Sequence, residues 1–299
     1  LDGADSDQRA SQGNFGLVWL QGKGADFAPY ARWTFSAVAA WAGFAARIRS
    51  LSGIDVKLEQ FGGYEFITDE DRFAGVATEL AAQQAILGPD FSHEILSQGA
   101  LHRRISGIGK DVLGATFCPQ DGHVNPLHLL RALRRTVNAL GGQIIPETPV
   151  DGIKPTAGGG FILSAGDGTT WGTERVILCA GLGSMTLGPQ LGFGANIRPQ
   201  RGELLITEKL GTRLPFTSDT IRQVGEGGIQ IGGTKAEVGL DDNDTFGMTS
   251  GLARHAVTVF PALADVRVLR CWAALRIMTP DGYPIYAKSP SHPGAFLVT

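Results

Sequence analysis

Val176-Ile-Leu-Cys-Ala-Gly-Leu-Gly-Ser184 opens as an unbroken apolar run and stops in small residues. A short run of this kind reads as a strand, here Val176–Cys179, with both faces covered. The small residues at its end leave room for a ligand or another backbone segment to come close. In α/β sheets, cofactors bind at that carboxyl edge of the strands. A plain tight turn would use the same residues, so the run alone leaves two readings open.

Regular elements surround it. Phe161–Ala165 reads as a strand, followed by a Gly166-Asp-Gly168 turn. Leu127–Leu140 is a helix, opened by Pro126 and closed by Gly141-Gly142, with a short strand at Gln143–Ile145. Nearer the start, Trp33, Ala37, Trp41, Phe44, Ile48 and Leu51 recur at three- and four-residue steps. That spacing predicts a helix over Pro29–Leu51. Ile54–Thr68 looks β-like around the Gly62-Gly63 break, and Asp69–Leu87 is helical with Asp69 or Thr68 as its cap. Downstream, Glu203–Thr207, Gly228–Gly232 and Val266–Trp272 read as strands, with a helix over Thr249–Phe260.

Strands and helices are thus mixed without a clean βαβ alternation. The order predicts an α/β nucleotide-binding domain interrupted by an α+β domain. The chain opens on Leu1-Asp2 and closes on Ala295-Phe-Leu-Val-Thr299, which reads as a strand. It is therefore expected to be part of a longer protein.

The composition narrows the function classes. With 26 basic and 29 acidic residues the net charge is −3, which leaves no electrostatic footprint for nucleic acid. The longest apolar run, Phe35–Ala46, falls short of the roughly 20 residues that a membrane span needs. Cys118, Cys179 and Cys271 form no C-x-x-C pair, which argues against an iron–sulfur or structural zinc site. Few, scattered cysteines suit a reducing compartment, so the cytoplasm is the expected location. The histidines show no ligand spacing, so no metal is expected. No Gly-x-Ser-x-Gly elbow is present, so a hydrolase is not expected.

Several segments carry candidate chemistry. Asp2 is followed by Ser11-Gln-Gly-Asn-Phe-Gly16. An acidic residue at a strand end can bond ribose hydroxyls, and a glycine-bearing turn can offer backbone N–H groups to phosphate. A polar loop leading into a helix explains the same residues. Neither Gly107-Ile-Gly109 nor Gly181-Leu-Gly183 completes a dinucleotide glycine fingerprint. In Trp272-Ala-Ala-Leu-Arg276, an arginine lies between an apolar run and the Pro280-Asp-Gly282 turn. Guanidinium is always charged and grips a carboxylate bidentately, although a surface ion pair would use it equally well.

Taken in order, these pieces resemble one family. Asn14-Phe-Gly16, Asp121-Gly122-x-Val124-x-Pro126, Ala180-Gly181-x-Gly183-Ser184, Arg201-Gly202, Gly232-Gly233-Thr234 and Leu275-Arg276…Pro280-Asp281-Gly282 are similar to segments of the D-amino-acid oxidase family. That family includes glycine oxidase, sarcosine oxidase and the beta subunits of bacterial opine and hydroxyproline dehydrogenases. Asn14–Gly24 looks closest to the bacterial dehydrogenase-type members.

The resemblance implies a discontinuous, Rossmann-like FAD-binding domain, truncated at both ends and interrupted by an α+β substrate domain with a mixed sheet. It places FAD-binding parts at 1–45, 116–186 and 276–299, and substrate-domain parts at 46–115 and 187–275. It implies that Asp2 holds the adenosine ribose and that Ala10, Ser11, Asn14, Gly16 and Leu17 line the flavin or its phosphates. Val150 would meet adenine through its backbone, Ala180, Gly181 and Gly183 would flank the cofactor, and Arg276 would bind the substrate carboxylate. The implied activity is FAD-dependent oxidation of the C–N bond of an amino acid, imino acid or N-substituted amino acid. A hydride would pass to the flavin, and a partner subunit is a candidate electron acceptor. The competing expectations are flavin-dependent oxidation of a 2-hydroxy acid and a non-catalytic subunit that keeps the fold.

Overall fold

The computed structural model describes residues 1–3, 10–194 and 196–299. A four-stranded antiparallel sheet organises the second half of the chain. Its strands are Arg198–Lys209, Ile221–Gln223, Gly228–Ile231 and Val268–Met278. The Gly228 strand and the Val268 strand flank the long Arg198 strand, and the Ile221 strand forms one edge.

Side-chain alternation gives this sheet two unlike faces. Leu205, Ile221, Ile229 and Ile231 are all at most 2% exposed and belong to one apolar core. Leu252, Ala256 and Val259 of the helix Phe246–Val259 join that core, as do Tyr64, Phe66 and Phe117 from a second sheet. Truncating Leu205 to alanine would cost about 2–5 kcal/mol, as for other fully buried leucines. The other face carries Leu204, Arg222, Gln230, Trp272, Ala274 and Arg276, a mixed apolar and cationic surface. The registers of the strands align these residues: Leu204 opposes Trp272, Arg222 opposes Gln230 and Gln200 opposes Arg276.

The second sheet joins Gly63–Ile67, Gly114–Cys118 and Glu94–Ser97, with the Gly114 strand in the middle. Behind it lie the helices Ala28–Ser52, Glu70–Leu87 and Pro126–Ala139. They share a core with Val18, Leu20, Phe91 and Cys118. Local chemistry fixes their ends. Asp69 accepts the Arg72 N–H at 2.8 Å, and Asn125 caps the Pro126 helix by accepting from Leu127 and His128. Gly53 closes the first helix in the left-handed region at φ 71°.

The expected α/β pairing is present in the third region. Ala295–Val298 pairs in parallel with Val176–Leu178 and antiparallel with Tyr286–Lys288. Val150–Pro155, Phe161–Ala165 and Thr170–Thr173 form a separate antiparallel sheet over the same core of Phe161, Leu178, Leu191 and Leu297.

Some sequence expectations are corrected. Gln143–Ile145 forms no assigned strand. Instead Asp2 N–H donates to the Ile145 carbonyl, and Thr148 N–H donates to the Asp2 carbonyl. The strand expected to end at Trp272 continues to Met278, because it pairs along the Arg198 strand as far as Arg198 itself. Arg276 is therefore part of a sheet and does not lie in a loop before the turn.

Candidate functional site

Three separated stretches of sequence approach this sheet or the helix beside it, and the first of them lies on the cationic face. The first is Ala10–Gly16. Gly13 lies so close to the Val268 strand that a Cβ there would stand 2.3 Å from the Ala274 Cβ. Gly232 makes a matching approach to the Phe15 ring. Gly16 has φ +93°, a conformation that L side chains rarely adopt, and Asn14 Oδ1 accepts its N–H at 2.6 Å. These features lay the segment flat across the sheet. Leu17 then enters a two-residue strand paired with His123. Ala10 is half-buried, whereas Ser11 and Asn14 are exposed.

The second stretch is Ala180–Ser184. Gly181–Gly183 forms a single 3-10 turn, with Gly181 at φ +56° and facing the Ile277 side chain. Ile277 follows Arg276 in the strand and points to the opposite face, so this turn borders the end of the sheet on the side away from the Arg276 guanidinium. The Ser184 hydroxyl is buried with no hydrogen-bond partner among the described residues. The third stretch is the Asp2 edge. The Asp2 carboxylate meets Arg134 at 3.1 Å, and its backbone is pinned beside Thr148, two residues before Val150.

Arg276 is the charged centre of the face. Its guanidinium folds over Gly202, where a Cβ would stand 2.5 Å from Nη1. Nη1 donates to the Thr234 carbonyl at 2.9 Å. Among the described residues no carboxylate pairs with it. Burial lowers its pKa from the ordinary arginine value, yet guanidinium stays protonated at any physiological pH. A half-buried cation without a counter-ion is a ready receptor for a ligand carboxylate.

Sequence reasoning missed a second arginine. Arg222 is 1% exposed, and Nε donates to the Phe15 carbonyl at 2.6 Å. Nη2 holds Gln230 Oε1, and Nη1 lies 3.4 Å from His123 Nδ1. Burial lowers the Arg222 pKa to about 10 and the His123 pKa to about 3, the latter assisted by the arginine's charge. Arg222 thus ties the Phe15 segment to both the sheet and the His123 strand. Beside it a cleft of about 760 Å³ runs between the Pro126 helix and the sheet, past Arg134, Leu130, Asn14 and Trp272. No local motif announces Arg222, because all its partners are distant in sequence or across a strand.

The donor set suits a dinucleotide flavin. The Asp2 carboxylate lies beside the Pro126 helix, a glycine-bearing segment lies flat on the sheet, and a small-residue turn carries a buried hydroxyl without a partner among the described residues. Among the described residues no cluster of His, Cys, Asp and Glu could hold a metal ion. No described helix is long and apolar enough to cross a membrane.

Comparison with known proteins defines the class. Residues 1–299 match the family DAO, FAD dependent oxidoreductase. The chain belongs to that family. It is 38% identical over 301 residues to an opine oxidase subunit from Agrobacterium tumefaciens (strain Ach5), covering all of this chain and 80% of that one. It is 39% identical over 300 residues to an opine oxidase subunit from Rhizobium meliloti, covering 99% of this chain and 80% of that one. Among solved structures, glycine oxidase from Geobacillus kaustophilus superposes with a TM-score of 0.87 at 22% identity, over 99% of this chain and 80% of that one. The protein is an FAD-dependent oxidoreductase with the mixed α/β fold of that family.

Proposed function

We propose that this protein oxidises the C–N bond of an amino acid, imino acid or N-substituted amino acid whose carboxylate is held by Arg276. The observation that carries this reading is the half-buried Arg276 guanidinium. It is seated over Gly202 with no carboxylate partner among the described residues, on the face that the Gly13 segment covers. The likeness to the two opine oxidase subunits supports an amine substrate with an N-substituent.

In this reading Asp2 and Val150 serve the adenosine end of FAD. Ala10, Ser11, Asn14, Gly16 and Leu17 line the flavin and its phosphates, and Ala180, Gly181 and Gly183 flank it. A bound flavin supplies the acceptor for a hydride from the substrate α-carbon. The chain's own share is orientation. Arg276 fixes the carboxylate, the rigid sheet fixes Arg276, and the α-carbon is thereby presented at one place and angle. The Thr234 carbonyl restrains Nη1 and leaves the rest of the guanidinium fork for the substrate.

The domain division follows the same reading. Residues 1–45, 116–186 and 276–299 build the cofactor domain, and 46–115 and 187–275 build the substrate domain, with the Val268 strand crossing from one to the other. Because the similar relatives are named as subunits, we also propose a partner polypeptide that takes the electrons onward.

Dye-coupled turnover with amino, imino and N-alkyl amino acids, set against matched 2-hydroxy acids, tests the activity. Turnover of the amine compounds is expected. Turnover of hydroxy acids alone would move the reaction to the C–O bond, and turnover of neither would favour a subunit that only keeps the fold.

A further inference from the structure

Beyond the Gly228–Ile231 strand, the chain returns to the Arg198 strand. Arg201 and Ala236 exchange both backbone bonds, at 2.9 and 3.0 Å. Directly opposed residues of an antiparallel pair send their side chains to the same face, and their neighbours to the other. Ala236 therefore shares the face of Arg201. Lys235 and Glu237 share the opposite face, the one that carries Gln200, Gly202 and Arg276. Glu237 bears this out, since its carboxylate accepts from Gln200 Nε2 at 2.8 Å and from Arg198 Nη2 at 3.2 Å.

One step back from Ala236, Lys235 stands across from Gly202. The side-chain space over Gly202 is the space that the Arg276 guanidinium fills. Arg276 Nη1 also bonds the carbonyl of Thr234, the residue just before Lys235. Two cations therefore rise from adjoining points of one face. Lys235 is exposed, and among the described residues neither cation has a carboxylate partner. Glu237, the acidic group on that face, is already taken up by Gln200 and Arg198.

Like charges side by side repel, and a ligand with two negative charges relieves both. We propose that Lys235 is a second carboxylate anchor, which gives the site a preference for secondary amines carrying a carboxylate on each arm, that is, N-carboxyalkyl amino acids. This rests on the reading of Arg276 as the first anchor. The two anchors divide the work. The planar Arg276 fork fixes the carboxylate beside the reacting carbon. The compact ammonium of Lys235, on a flexible stem, follows a second arm of variable length.

The test uses the FAD-loaded protein and two matched pairs of compounds. Iminodiacetate and N-methylglycine differ in the second carboxylate and can be oxidised. Diglycolate and methoxyacetate carry the same difference, but an ether oxygen replaces the amine, so their binding is read from the flavin absorption spectrum without turnover. The two-carboxylate member of each pair is expected to be favoured at least ~10-fold, in kcat/KM and in Kd respectively. K235Q should bring both ratios to within ~3-fold, and K235R should keep most of the preference. If the lysine were merely structural, K235Q would weaken both members of a pair alike and leave the ratio where it was. A K235Q protein that still prefers diglycolate overturns the proposal, as does a wild-type protein that binds diglycolate no better than methoxyacetate. Preference for diglycolate without oxidation of any amine would retain the anchor and reject the C–N oxidation. Amine oxidation without the preference would do the reverse.

Discussion

Gly202 and Arg276 occupy one space: the side chain that Gly202 lacks would stand 2.5 Å from the Arg276 guanidinium. The glycine lies mid-strand, paired with Ala274, and its φ is not in the left-handed region. Its role is therefore room, not backbone freedom. Gly202→Ala should push the end of a flexible side chain aside and leave the sheet intact. The expected result is a rise in KM of ~10-fold or more for a carboxylate substrate, with little change in Tm. A large fall in Tm with KM unchanged would mean that the glycine serves packing alone.

Arg222 should govern cofactor affinity. Its bonds to the Phe15 carbonyl and Gln230 are charge-assisted, and such bonds contribute about 1.5–3 kcal/mol each. Arg222→Met is expected to weaken FAD binding ~10- to 100-fold in a fluorescence titration, with Arg222→Lys in between. Unchanged affinity would show that the close packing of Gly13 on Ala274 suffices to seat that segment.

Asp121 gives a pH signature. It is fully buried, and burial raises its pKa to about 7 against the bonds from Leu20 and Gln21. The folded state thus holds a proton that the unfolded chain has already released. Its contribution is full below about pH 4 and is lost as the pH rises to about 7. Asp121→Asn forfeits a hydrogen bond at every pH, but it should gain on the wild type between about pH 4 and pH 7, by up to about 1 kcal/mol per pH unit, and gain no more above that. His123 acts in the opposite sense. Its depressed pKa costs stability as the pH falls below about 6.5, so the comparison must be variant against wild type. A difference in Tm that does not vary with pH would contradict the raised pKa.

Much of this architecture was legible in the sequence, for identifiable reasons. The Pro126 helix announces itself through Asn125, Pro126 and Gly141, and the Glu70 helix through Asp69, because caps are local chemistry. The Gly114–Cys118 strand was not foreseen. All five of its residues are buried, so it shows no alternation to read. The extension of the Val268 strand to Met278 was also hidden, since it depends on pairing with residues some 75 positions away. The same holds for the site. Arg276 stands out beside its Pro-Asp-Gly turn. Arg222 and Lys235 acquire meaning only through cross-strand register and through a partner at Phe15.

The most direct measurement is the rate at which the flavin bands bleach without oxygen, in wild type and in Arg276→Ala, over a panel of amino, imino and N-substituted amino acids. At least one amine should bleach the wild-type flavin. The variant should hold FAD with an unaltered resting spectrum but bleach at least ~100-fold less efficiently, from about 3 kcal/mol of lost carboxylate binding. Bleaching of the variant within tenfold of the wild type would contradict Arg276 as the anchor, and a wild-type flavin bleached by no amine would contradict the reaction itself.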